Sequence, residues 1–132
     1  MLAARPLSLL ACALLAACAQ QPTATVTLQE GQQSRCPLQL HNGQTLVLSL
    51  PSNPTTGFRW EVKDAAPQVL RSLGPEVYSN PEDAGLVGGA GQSTWRFLAN
   101  IPGDGHLLLV YHRPWEADVA PAKTFDCQIS VK

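Results

Sequence analysis

Side chains with reactive chemistry are few in this chain: four cysteines and three histidines among 132 residues. A thiol becomes a nucleophile when an imidazole lies within hydrogen-bond reach, so Cys36 or Cys127 with His41, His106 or His112 is the first arrangement to test. No peptidase-like local signature surrounds either cysteine, and oxidation of the two to a disulfide would remove the nucleophile. There is no G-x-S-x-G elbow. The stretch from Gly85 to Gly91 is glycine-rich, but no Gly-Lys-Ser/Thr follows it, so it is not a phosphate loop. The His and Cys spacings fit no zinc pattern, and the pair Glu82-Asp83 reads as a solvated turn rather than an acid/base couple. The residues point to a protein that is not an enzyme and that carries neither cofactor nor metal.

What remains is binding, and the composition narrows it. Lysines and arginines number 9 against 10 aspartates and glutamates, a net charge of −1. With no basic patch, nothing suggests nucleic acid. Residues 1–17 read as a secretory signal: Arg5, then an apolar run from Leu7 to Ala17 too short to span a bilayer. The run ends Leu15-Ala16-Ala17-Cys18, which resembles a bacterial lipobox with Cys18 as the lipidated residue. By resemblance to bacterial sorting, Ala19 after that cysteine directs the protein to the outer membrane. An ordinary cleavage site with an incidental cysteine, and a periplasmic product, is the alternative. Residues 18–25, rich in Gln, Ala, Thr and Pro, form a tether with little to bury. Residues 26–132 then make one domain, expected as a monomer that meets the membrane only through its lipid.

Eleven prolines and ten glycines set among short apolar runs indicate β structure with many turns. Period-2 alternation marks the strands. Val26 and Leu28 begin one; Cys36, Leu38 and Leu40 share a face; so do Leu46, Leu48 and Leu50. Phe58, Trp60 and Val62 alternate with Arg59, Glu61 and Lys63. A shorter strand covers Val69 to Leu73, with Val77 and Tyr78 as an extension. Trp95, Phe97 and Ala99 alternate next; Leu107 to His112 is apolar on both faces, as a central strand is; Phe125, Cys127, Ile129 and Val131 close the series. The pattern predicts an all-β, immunoglobulin-like two-sheet sandwich of seven or eight strands. Cys36 and Cys127 are both in phase with core residues, so an exported chain is expected to join them as a disulfide; two buried free thiols are the alternative. Cys12 leaves with the signal.

Three stretches fall between these strands. The first is Asn53-Pro54-Thr55-Thr56-Gly57-Phe58, in which Pro54 fixes φ, Gly57 can take φ > 0, and two β-branched threonines are stiff. The second is the glycine-rich loop with Leu86 and Val87 ahead of Gly88-Gly89-Ala90-Gly91, or, shifted by one, Gly89-Ala90-Gly91-Gln92. The third is Arg113-Pro114-Trp115. In a sandwich, loops between alternate strands gather at one end.

Together the three resemble the chagasin family, protein inhibitors of papain-like cysteine peptidases, whose pattern is N-P-T-T-G-[YF], then G-x-G-G, then R-P-W. The first and third motifs are complete and in order; the second has Ala90 where a glycine is usual. The resemblance implies an immunoglobulin-like sandwich and a reversible, non-covalent inhibitor that blocks a papain-like cysteine peptidase with a three-loop wedge. It implies contacts from Asn53, Pro54, Thr55, Thr56, Gly57 and Phe58; from Leu86, Val87, Gly88, Gly89, Ala90 and Gly91; and from Arg113, Pro114 and Trp115. Arg113 has a second reading, as a salt-bridged brace for its own loop, and Trp115 a second reading, as a core residue. A carbohydrate-binding or adhesion module using the same end-loops is the alternative function, and a purely structural lipoprotein a third.

Overall fold

Leu46, Leu48 and Leu50 are completely buried along β3 (Thr45–Ser52), while Thr45, Val47 and Ser49 between them are part-exposed. A strand of that pattern needs a second apolar sheet against its inner face. The computed structural model describes residues 23–80 and 91–132 and supplies that sheet. The first sheet holds β1 (Thr25–Gln29), β3, β7 (Gly91–Ala99) and β5 (Leu70–Ser72) in that order, with β6 (Val77–Ser79) also paired to β7. The second runs β2 (Leu38–Leu40), β9 (Lys123–Val131), β8 (Gly103–His112), β4 (Arg59–Ala65). β1 lies parallel to β3 and β2 parallel to β9; the other pairs are antiparallel.

The all-β sandwich is as expected. β8 is the central strand that its apolar faces implied, with Leu107 and Leu109 fully buried and Val110 nearly so. Trp60 and Trp95 belong to the core, where their rings meet edge to face at 6.5 Å. The described residues contain β6 as a separate strand, making nine. Pro75 interrupts the run after β5, since it has no N–H for the ladder, and Val77–Ser79 resumes pairing further along β7. A 3-10 helix, Glu30–Arg35, carries the chain from β1 in one sheet to β2 in the other. No apolar period announced it. In β4 a bulge at Lys63 shifts the register between Val62 and Asp64, so the alternation begun at Trp60 does not continue through the strand.

Cys36 and Cys127 are joined, across 91 positions of sequence and 5.3 Å between Cα atoms. The bond ties the entrance of β2 to the middle of β9. Cys12, Cys18 and the rest of the expected signal and most of the tether lie outside the described residues. At the domain's start the Ala24 carbonyl already accepts from Thr45 N, at 2.9 Å, and β1 begins at Thr25.

Candidate functional site

Strand register decides which loops meet. Ser52, the end of β3, pairs with Gly91, the start of β7. Arg59, the start of β4, pairs with His112, the end of β8. Tyr111, one residue earlier, pairs with Lys123 at the start of β9. The first and third loops therefore leave the sandwich at one end, beside the point where β7 begins.

Within the first loop, Pro54–Thr56 forms a single 3-10 turn. Asn53 caps it: its Oδ1 accepts from Thr55 N at 3.3 Å and from Thr55 Oγ1 at 2.5 Å. Thr56 Oγ1 donates to the Asn53 carbonyl at 2.7 Å, so its hydroxyl proton is committed inside the loop. Gly57 ends the turn at φ 83°, in the left-handed region, and its N–H donates to the Pro54 carbonyl at 3.1 Å. Asn53, Thr55 and Thr56 are exposed, whereas Pro54, Gly57 and Phe58 are half-buried.

The loop is held from below by a column of rings. Trp60 lies 4.9 Å from Tyr111, and Tyr111 stacks on Phe58 at 5.2 Å. The Arg113 guanidinium caps the column, 4.6 Å from the Phe58 ring centre. The Tyr111 hydroxyl accepts from Asn53 N at 3.0 Å, and Trp60 Nε1 donates to the Pro51 carbonyl at 2.9 Å. Phe58 thus points toward the core and acts as the loop's footing rather than as part of its outer face.

Arg113 resolves toward the bracing reading. Its Nε donates to the Thr56 carbonyl at 3.3 Å and its Nη1 bonds Glu116 Oε1 at 2.8 Å. One side chain so joins the first loop, the ring column and the third loop. Trp115 is 70% exposed, which removes it from the core. Its indole nevertheless borders the first loop: a Cβ on Gly57 would fall on Trp115 Cη2. Pro114 beside it is exposed.

Gly91 requires a correction. The sequence reading placed it in a contact loop, but it is buried and paired to Ser52, and a Cβ there would run into the Tyr78 ring. Its missing side chain makes room for Tyr78. Leu86, Val87, Gly88, Gly89 and Ala90 lie outside the described residues.

Sequence reasoning missed Arg59, Tyr111 and Glu116. Arg59 Nη1 donates to the carbonyls of Pro54, at 2.9 Å, and Phe58, at 3.0 Å. By alternation Arg59 reads as a solvent-facing strand residue, and Tyr111 falls in a strand apolar on both faces; neither pattern indicates loop support. On the outer face of β4, Glu61 binds Lys63 at 3.1 Å and His112 at 2.7 Å. Its carboxyl is held below the usual range, chiefly by the Lys63 hydrogen bond and then by that of His112.

Residues 39–129 match the family model described as chagasin family peptidase inhibitor I42. The chain belongs to the chagasin family. Amoebiasin-1 of Entamoeba histolytica is 30% identical to it over 68% of this chain and 84% of its own. The crystal structure of the cysteine protease inhibitor EhICP2 from Entamoeba histolytica superposes with a TM-score of 0.62 at 17% identity, covering 82% of this chain and 95% of that one. PbICP-C, solved in complex with falcipain-2, gives a TM-score of 0.50 at 19% identity over 83% and 91%. The chagasin family consists of peptidase inhibitors, not enzymes. NPTTGF and RPW, the motifs that carried the resemblance, are the segments that meet at one end of this chagasin-like sandwich.

Proposed function

We propose that this protein is a reversible, non-covalent inhibitor of papain-like cysteine peptidases and that its loop end enters the catalytic cleft. The observation that carries the reading is the union of the first and third loops. Asn53, Thr55 and Thr56 are exposed, with Trp115 exposed beside Gly57, on a base already ordered by Arg113, Tyr111 and Phe58. A surface with little conformational freedom left to lose binds without a large ordering cost. The 3-10 turn also offers a peptidase no extended strand to pair with, so its peptide bonds stand outside attack geometry. PbICP-C, a structural neighbour, is bound to falcipain-2, which favours a partner of the same enzyme class.

In this reading Thr56, at the exposed end of the turn, lies closest to the peptidase's catalytic cysteine and histidine. Trp115 packs on a cleft wall, Leu86 and Val87 contribute apolar contacts, and Gly88, Gly89 and Ala90 allow close backbone approach. The protein acts as an exported monomer, held at the outer membrane through Cys18. Titration of papain with the purified protein should give stoichiometric loss of activity that returns on dilution. Thr56→Glu, which buries a charge or backs the wedge out, should fold normally and inhibit at least a hundredfold more weakly. Undiminished inhibition by that variant would remove the first loop from the cleft.

A further inference from the structure

The internal bonds of the first loop carry one step more. The carbonyls of Asn53, Pro54, Thr56 and Phe58 all accept hydrogen bonds from within the protein. Arg59 takes Pro54 and Phe58, and Arg113 takes Thr56. Glu116 anchors Arg113 by an ion pair at 2.8 Å, and the Phe58 ring supports its guanidinium face. Acyl transfer requires a carbonyl oxygen to turn into the peptidase's own oxyanion donors as the thiolate attacks its carbon. An oxygen already held from inside cannot turn without breaking a charge-assisted hydrogen bond.

Resting on the inhibitor reading above, we propose that Arg59 and Arg113 are positioning residues that keep the loop from being a substrate. They fix the Pro54 and Thr56 carbonyls so that the bonds Pro54–Thr55 and Thr56–Gly57 stay intact in the complex. Without them the loop relaxes toward an extended strand and is hydrolysed. The C–N bond after Thr56 breaks, and water supplies hydroxyl to the Thr56 acyl carbon and hydrogen to the Gly57 nitrogen. The arginines thereby set how long inhibition lasts rather than whether it begins.

The test uses Arg59→Ala, Arg113→Ala, the double variant and Arg113→Lys, each incubated with a small amount of papain and followed by intact mass and residual activity. The parent should stay whole while the double variant inhibits at first and then releases activity, with fragments cut between Asn53 and Phe58 appearing at least tenfold faster. Arg113→Lys, which keeps a donor, should be cut more slowly than Arg113→Ala. A double variant that remains uncut, whether it binds tightly or weakly, overturns the proposal. Amide hydrogen exchange of the free protein supplies a readout that needs no peptidase. The Thr56 and Gly57 amides should exchange at least tenfold faster in the double variant, and unchanged exchange also overturns the clamp. A parent that leaves papain fully active would instead defeat the inhibitor reading, and the exchange comparison would still decide whether the arginines hold the loop.

Discussion

Gly57 is the residue on which two requirements fall together. Its φ of 83° costs an L-residue about 1–2 kcal/mol, and the space where a Cβ would go is taken by Trp115. Gly57→Ala must therefore strain the turn and push the indole aside. Inhibition of papain is expected to weaken by tenfold or more, while the melting temperature falls by only a few degrees, which parallel inhibition and thermal-denaturation measurements will separate. Trp115→Ala makes the contrasting case. At 70% exposure the side chain contributes little to folding, so stability should hold while binding loses about 2 kcal/mol, the scale of an interface hot spot. Equal inhibition constants for parent and variant would take Trp115 out of the contact surface. These roles were legible to different degrees. Exposure of Trp115 follows from a proline-bound position past a strand end. The contact between Trp115 and Gly57 joins residues far apart in sequence, and no local pattern encodes it. Arg59 and Arg113 illustrate the same limit, since the bond from Arg113 to Thr56 spans 57 positions.

Among the elements, β4 and β8 carry the site. They place Arg59 opposite His112 and Trp60 opposite Tyr111, which brings the feet of the first and third loops together. On their outer face the Glu61 carboxyl, lowered by Lys63 and then His112, supports the same pairing. Its folded pKa lies below the unfolded one. The stabilisation is therefore present above the ordinary carboxylate range and is lost as pH falls through the folded value. Glu61→Gln should flatten the fall of melting temperature below about pH 4.5 and change little near neutrality; an unchanged acid limb would refute the linkage. β3, β7 and β9 were readable because each buries one face and repeats its pattern for several residues, as Leu46, Leu48 and Leu50 do. β5 and β6 span three residues each, too few to establish a period, and the Glu30–Arg35 helix buries no residue at all. The bulge at Lys63 is likewise silent in a pattern that only counts alternation.

At the scale of the molecule, the disulfide closes a loop of 91 positions between the two sheet-two strands that pair in parallel. In the chain-entropy account a loop of that size stabilises by about 4–5 kcal/mol, an upper figure. Cys36→Ala should lower the melting temperature by ten degrees or more. It should leave room-temperature inhibition intact, because Cys127 pairs with Leu107, four residues along β8 from Tyr111 and the loop end. Loss of inhibition in a still-folded variant would show that the bond shapes the site. Export remains a matter for the native source: there the protein should partition with membranes, and Cys18→Ser should release or misprocess it. A soluble product with Cys18 unmodified would dismiss the lipid without affecting the inhibitor.

The parallel pairing of β1 with β3 gives the molecule two poles. Thr25 lies against Thr45, where β3 starts, while the first loop leaves from Ser52, where β3 ends. Eight residues of β3 at about 3.4 Å each separate them by roughly 25 Å. Asn42 N binds the carbonyl of Lys132, so the last residue also sits at the pole opposite the loops. A support attached ahead of Thr23 would meet the domain at the pole away from Thr56 and Trp115. A bulky enzyme could then be received at the loops without such a support getting in its way.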